Sequence, residues 1–142
     1  GLTKGKTYYV RAYAINAGKE AYSTNEVLLV MLNKDLPMFV YGGSIYNVSA
    51  DQGAHTWYDA SGVCSSLSHA GYSDWYLPDK GELNAMYQNK NSIGGFDNAC
   101  YWCNDTNGLY AAWYQDFSNG YQGNKAYNKS NLYRVRCVRR ED

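Results

Sequence analysis

Cys100 and Cys103 stand three residues apart, the spacing in this chain that most directly suggests chemistry. A Cys-x-x-Cys pair can cycle between dithiol and disulfide, or supply half of a tetrahedral zinc site. A redox pair normally opens a helix in a thioredoxin-like unit, whereas Tyr101 and Trp102 place this one in a strand context. A zinc site needs two further ligands, and only His55 and His69 are available. Both read as surface or capping residues of the first helix region, so no metal and no cofactor is expected. The alternative is that one or both cysteines simply decorate a surface. Catalytic parts are also wanting: the sequence places no Ser-His-Asp set together, has no glycine-rich phosphate loop, and has no His pair at metal spacing. No catalytic residue is therefore expected.

A different chemistry dominates the last third. Between Cys100 and Tyr133 lie six Tyr (Tyr101, Tyr110, Tyr114, Tyr121, Tyr127, Tyr133) and six Asn (Asn104, Asn107, Asn119, Asn124, Asn128, Asn131), interrupted by four charged side chains. Tyr gives a large amphipathic contact area for two side-chain torsions, and Asn, Ser and Gly give adaptable hydrogen bonds, as in an antibody paratope. A core would use Leu, Ile and Val, and this stretch has only Leu109 and Leu132. The expectation is a binding module with a tyrosine and asparagine surface. Its candidate ligand-binding residues are Asn104, Asp105, Asn107, Tyr110, Tyr114, Asp116, Tyr121, Asn124, Tyr127, Asn128, Asn131 and Tyr133.

The 142 residues suit one ordinary domain, or a small domain plus a piece of another. A hydrophobic fraction of 45% with 18% charged residues fits a folded chain. Zero formal net charge draws it neither to nucleic acid nor to an anionic membrane. The basic run Arg134, Arg136, Arg139 and Arg140 alternates with Val135, Cys137 and Val138, and reads as strand decoration. No apolar run approaches a membrane-spanning length, so no direct membrane insertion is expected. The start, Gly1-Leu2-Thr3-Lys4, lacks an apolar signal-peptide region and reads like the middle of a longer protein. The four cysteines do not by themselves fix a compartment.

These residues must be positioned by a small set of elements. Thr7–Ile15 alternates with a strand period, Asn16-Ala17-Gly18-Lys19 is a turn, and Val27–Leu32 is a short apolar strand. Residues 33–37 read as a linker, and a strand is expected at about residues 38–48. Trp57, Ala60, Cys64 and Leu67 then fall near helical spacing. A second helix starts after Pro78, where Asp79 and Glu82 form a variant of the capping box. Leu83, Met86 and Tyr87 make its buried stripe, and Ser92-Ile93-Gly94-Gly95 ends it. Residues 96–138 read as short strands with long polar turns, punctuated by Gly108, Gly120 and Gly123.

Residues 1–32 resemble the end of a fibronectin type III domain, on Leu2, Gly5, Thr7, Tyr9, Val10, the run Arg11-Ala12-Tyr13-Ala14, and Asn25-Glu26-Val27. The resemblance implies the last two strands of an Ig-like sandwich, with Tyr8 or Tyr9 as its tyrosine corner. The first five strands are absent from this sequence. Such a remnant is marginal alone, so it is expected to pack on the second domain, pair with another chain, or be poorly ordered.

Residues 38–142 carry a more specific pattern. The string Gly71-Tyr72-Ser73-Asp74-Trp75-Tyr76-Leu77-Pro78-Asp79-Lys80-Gly81-Glu82-Leu83 resembles the signature of a bacterial C-type-lectin-like family related in fold to the formylglycine-generating enzyme. Tyr101-Trp102, Ala112-Trp113-Tyr114-Gln115-Asp116-Phe117-Ser118-Asn119-Gly120 and Tyr133-Arg134-Val135-Arg136-Cys137-Val138-Arg139 follow in the expected order. The resemblance implies an α+β domain, with two helices on short antiparallel sheets and a loop-rich face. It also implies a disulfide between Cys64 and Cys137, because those elements are bridged in C-type-lectin-like folds. The alternative is two buried thiols that pack as small hydrophobes. Trp57, Trp75, Trp102 and Trp113 are expected as core or near-core anchors, with Trp113 bordering the binding face, and Asp74 as a local turn former. Trp102-Cys103-Asn104-Asp105 resembles the Trp-Asn-Asp calcium motif of sugar-binding lectins, but Cys103 is inserted and no partner triplet exists. Six to eight oxygen ligands for calcium cannot be assembled.

Within that family the chain most resembles the variable proteins of diversity-generating retroelements, whose C-terminal segment is rewritten at adenines. An AAC codon can become Tyr, Asp, Ser, Cys, His or Gly, but not Trp, Gln, Lys, Met or Glu. Asn, Tyr, Asp and Cys positions in residues 100–133 are thus the candidates for diversification. Trp102, Trp113, Gln115, Gln122, Lys125 and Lys129 are the expected support. The implied function is binding a protein or glycan ligand on another cell or particle, from a bacterial surface or a phage virion. The alternatives are an undiversified structural module of a surface protein, and an enzyme of the formylglycine-generating type.

Overall fold

The computed structural model describes residues 36–141. The expectations for residues 1–32, and for most of the 33–37 linker, lie outside them.

The first described element is a hairpin, β1 (Met38–Tyr41) and β2 (Ser44–His55). The single strand expected over residues 38–48 is broken at Gly42 and Gly43, whose φ angles are 59° and 82°. Two consecutive positive φ angles are what a two-residue primed hairpin turn requires, and glycine reaches them without a Cβ clash. Tyr41 then pairs with Ser44, and Met38 with Asn47.

Helix α1 (Trp57–Ser65) buries Ala60 and Cys64. Helix α2 (Lys80–Gln88) carries a complete capping box. The Glu82 amide donates to Asp79 Oδ1 at 2.7 Å, and the Asp79 amide donates to Glu82 Oε1 at 3.0 Å. Two otherwise orphaned amides are satisfied, an effect of about 1 kcal/mol. Leu83 and Met86 lie on the buried stripe, joined by Ala85 and by Glu82, which also accepts from the Tyr76 hydroxyl. The helix stops at Gln88, earlier than Ser92. A one-turn α3 (Lys90–Ile93) restarts from Asn89, and Gly94 at φ 78° ends it.

The remaining strands are β3 (Cys100–Asn107), β4 (Ala111–Asp116), β5 (Gln122–Gly123) and β6 (Tyr133–Arg140). With the hairpin they form one six-stranded sheet in the order β1-β2-β6-β3-β4-β5. This corrects the expectation of several short antiparallel sheets: one continuous sheet forms, and β3 joins β6 in parallel through Tyr101 and Arg134. The last strand in sequence thus sits in the middle, flanked by β2 and β3.

Helix α1 is tied to that central strand by a disulfide between Cys64 and Cys137, with Cα atoms 5.5 Å apart. Its 73-residue separation corresponds to about 4 kcal/mol in the loop-entropy account. Leu83 and Met86 of α2 pack in one core with Phe39, Val48, Tyr101, Phe117 and Val138. Tyr101 therefore belongs to the core rather than to the expected surface. Its ring centroid is 4.7 Å from Phe117 and 5.4 Å from Phe96. Its hydroxyl donates to Asp51 Oδ2 at 3.2 Å and accepts from the Asp97 amide at 2.9 Å. Burial pushes that hydroxyl's pKa up to about 12.

Two of the four arginines are not strand decoration. Arg136 is buried, donating from Nε to the Ser49 carbonyl at 2.8 Å and from Nη1 to the Gly94 carbonyl at 2.6 Å. Arg139 is buried over the Tyr72 ring and pairs with Asp74 at 2.7 Å, so Asp74 also reaches the last strand. Both guanidiniums meet buried acceptors that aliphatic side chains would leave unpaired.

Candidate binding surface

Strand β4 shows how a surface and a support arise from adjacent residues. Side chains alternate across a strand, and directly paired residues share a face. Tyr114 pairs with Trp102 and Gly123, and Asp116 pairs with Cys100. These side chains form the outer face. Gln115 pairs with Tyr101 and Gln122, on the inner face toward α2.

On the inner face Gln115 is fully buried. Its Nε2 donates to Asn84 Oδ1 at 2.9 Å and to the Gly120 carbonyl at 3.0 Å. Gln122 Nε2 donates to Gln115 Oε1 at 3.2 Å and to the Lys80 carbonyl at 2.9 Å. The Lys80 ammonium lies 3.4 Å from the centroid of the Trp113 ring. Amides and a cation–π contact thus fasten β4 and β5 to α2.

On the outer face Trp102 is the floor. It is buried, and its indole N–H donates to the His55 carbonyl at 2.7 Å. Tyr133 lies over it at 4.5 Å between ring centroids, and Tyr114 lies 5.0 Å from Tyr133. Tyr121 extends the row 6.4 Å further on and is 62% exposed. Partial burial, then the neighbouring Tyr133, raises the Tyr114 hydroxyl's pKa. A Cβ at Gly123 would stand 2.7 Å from Tyr121 Cε2 and 2.9 Å from the Tyr114 hydroxyl. Glycine there lets both rings lie across β5.

A second aromatic group gathers around the β3–β4 turn. Tyr58 from α1, Tyr110 and Tyr127 line a notch of about 150 Å³ with Lys129 and Ser130. The Tyr110 and Tyr127 rings are 5.3 Å apart, and both are well exposed. Tyr127 has φ 60°, a left-handed conformation unusual for a bulky residue. Such strain costs on the order of 1–3 kcal/mol and persists where surrounding contacts enforce it. Here Asn128 and Lys129, the next two residues, are both buried. A larger hollow of about 250 Å³ lies near α3, lined by Lys90, Phe96, Asp97 and Phe117 among others. Its lysine is already engaged, donating to the Phe117 carbonyl at 3.1 Å.

The candidate residues divide accordingly. Tyr110, Tyr127, Tyr114, Tyr121 and Tyr133 make the two aromatic groups. Asn131 is exposed, and its Nδ2 donates to the Tyr133 hydroxyl at 3.2 Å. Asn124 is half-buried in the same returning segment. Asn104 and Asn107 are exposed and Asp105 half-buried, all beyond a register shift that follows Trp102. The Asn104 amide donates to the Pro78 carbonyl at 2.8 Å, tying that stretch to the start of α2. Asp116 spends Oδ1 on the Ser118 amide and hydroxyl, at 2.8 and 2.6 Å, so it shapes the turn to β5. These bonds hold its carboxyl below the usual range.

Asn128 is a correction. It is buried, with Oδ1 accepting from the Ala112 amide at 2.9 Å and Nδ2 donating to the Ala112 carbonyl at 2.8 Å. It mimics a strand partner for β4, and its burial keeps the amide from a ligand. Sequence reasoning missed Tyr58 in the other direction. Its only signal is its place beside Trp57, off the stripe of Ala60 and Cys64. Leu109 and Leu132 are exposed at 78% and 67%, so the stretch's two leucines are surface residues as well.

Cys100 is half-buried beside Asp116, and Cys103 is buried in the core cluster. Three residues apart on a strand, they project to opposite faces. Burial raises both thiol pKa values, Cys103 far more, which disfavours the reactive thiolate. Among the described residues no three His, Cys, Asp or Glu side chains gather as a cation site.

One family model, the Lcl C-terminal domain, matches residues 33–139. That span covers the sheet but for its last residue, Arg140, and both longer helices, and a mixed α+β domain with one large sheet and few helices is consistent with a lectin-like fold. No curated protein matches the chain.

Proposed function

The chain belongs to the Lcl C-terminal domain family, and on that premise we propose that it is a ligand-binding module. Its outer tyrosine face meets a protein or glycan on another cell or particle. The observation that carries this reading is the Trp102–Tyr133–Tyr114–Tyr121 row, aromatic area displayed on a sheet whose reverse side is anchored to α2. Rigid aromatic anchors lose little entropy on binding. In that row Tyr121 is exposed, and Tyr114 and Tyr133 are half-buried over the buried Trp102, while Tyr110 and Tyr127 form a second, exposed pair. Exposed aromatic area of this kind marks interaction sites. A bridged Cys64–Cys137 pair suits an oxidising location, in keeping with display outside the cell or on a virion. The module works without catalysis.

The finer proposal is that the face is diversified by a retroelement. Its support is the interleaving on β4 and β5. Tyr114, Asp116 and Tyr121, reachable from AAC codons, point outward or edge the face. Trp113, Gln115 and Gln122, unreachable from AAC, form the anchor. Buried Asn128 falls in the support despite its residue type. Probing a glycan and protein array with the purified chain tests the binding reading, and selective retention of at least one ligand is expected. The gene tests the diversification. Varied positions should end in C and align with AAC in a nearby template repeat; mixed third bases and no repeat would leave an undiversified module.

A further inference from the structure

Lys129 is the buried cation of this surface. It is only 7% exposed. Its Nζ donates to the Leu109 carbonyl at 2.9 Å and the Gly108 carbonyl at 3.4 Å, and sits 4.5 Å from the Trp57 ring centroid. These partners are dipoles and a π face. Among the described residues no carboxylate pairs with it, whereas Arg134 pairs with two and Arg139 with one. A desolvated ammonium held only by neutral groups is incompletely compensated. Two of its three N–H donors are used by carbonyls. Lys129 also lines the notch whose rim is Tyr58, Tyr110 and Tyr127.

We infer that this notch is a carboxylate socket, which seats an Asp or Glu side chain of an acidic protein ligand against Lys129. The inference rests on the binding-module reading and names the chemistry one part of that surface selects. The notch, about 150 Å³, suits one short acidic side chain rather than a run of linked sugar rings. The tyrosine hydroxyls at its rim can donate to the carboxylate as it approaches the ammonium. Their rings flank its aliphatic stem, and the charge pairing is strengthened because Lys129 itself is buried. Tyr127, held at φ 60°, fixes one wall of the socket before any ligand arrives.

The test uses the whole chain and three probes: a capped Gly-Gly-Glu-Gly-Gly peptide, its Gln analogue, and glucuronic acid. Binding is read from the ring proton signals of Tyr58, Tyr110 and Tyr127 in NMR titrations. The Glu peptide should move all three signals saturably, at least tenfold more tightly than the Gln peptide and than glucuronic acid. Lys129→Met keeps the stem over Trp57 and removes the charge. Tyr127→Asn removes a wall and tolerates the left-handed backbone. Each should weaken the Glu peptide at least tenfold while an unchanged near-ultraviolet spectrum reports an intact fold. Equal response to Glu and Gln, tighter binding of glucuronic acid, or Glu binding unchanged in folded Lys129→Met would each overturn the socket. If array ligands instead depend on Tyr114 and Tyr121 but not on Lys129, the socket fails and the binding module stands. If they depend on none of these residues, both fail.

Discussion

Tyr114 and Gln115 are neighbours in the chain and opposites in the structure. Gln115 faces α2, is wholly buried, and makes hydrogen bonds to Asn84, Gly120 and Gln122. Tyr114 faces outward, its ring 5.0 and 6.4 Å from those of Tyr133 and Tyr121. The inner face is determined by partners, so almost any substitution there leaves a buried polar group unmatched. The outer face is a row of side chains whose main obligation is to one another. A domain built this way can change what it presents without changing how it folds.

The largest expected effect lies on neither face. Replacing Cys64 and Cys137 together by Ser should cost about 4 kcal/mol, seen as a lower midpoint in denaturant unfolding. A loss below about 1 kcal/mol would mean that α1 holds its place on β6 by packing alone. Next comes the inner face. Gln115→Ala should cost about 2–3 kcal/mol, because the Asn84 carbonyl oxygen and the Gly120 carbonyl lose a donor inside the protein. Asn128→Ala should behave like an inner-face variant, at about 1–3 kcal/mol, despite its place among candidate ligand residues. If it unfolds like wild type, it returns to the surface set.

The outer face should respond oppositely. Tyr121→Ser is expected to change stability by less than about 0.5 kcal/mol, as surface substitutions do. Gly123→Val should be felt by both neighbouring rings, displacing Tyr114 and Tyr121 while the inner Gln ladder persists. Tyrosine ring signals that stay in place would contradict the close packing seen there. The smallest effect concerns pH. The Ser118 bonds lower the folded Asp116 carboxyl's pKa, so their stabilisation is complete above the unfolded carboxylate range. It is lost as pH falls below about 4. Asp116→Asn should flatten the acid limb of a stability–pH curve in that window only.

Much of the scaffold is readable in the chain because its signals are local. Asp79 and Glu82 announce α2 through three-residue spacing, and the structure forms both bonds of that box. Gly42-Gly43 also carries a hairpin signal, which the reading of one long strand passed over. The sheet's order was not readable, since the placing of β6 between β2 and β3 depends on long-range pairing that no local pattern encodes. The candidate surface was half readable. Residue type located the tyrosine segment, but type alone cannot separate Tyr114 from Tyr101, or Asn131 from Asn128. Register decides those cases, through the pairing of Tyr114 with Trp102 and the docking of Asn128 on Ala112. Arg136 and Arg139 misled for a similar reason: alternation marked a strand correctly, but a central strand is covered on both sides.

The central claim is that the outer tyrosine face is the binding surface and the inner face its support. The most direct measurement probes one array of proteins and glycans with the full chain and with a Tyr114→Ser/Tyr121→Ser variant at equal concentration, after matching their unfolding midpoints. The expected result is that ligands retained by the wild-type chain weaken at least tenfold on the variant. Retention of every ligand at undiminished strength by the folded variant would contradict it.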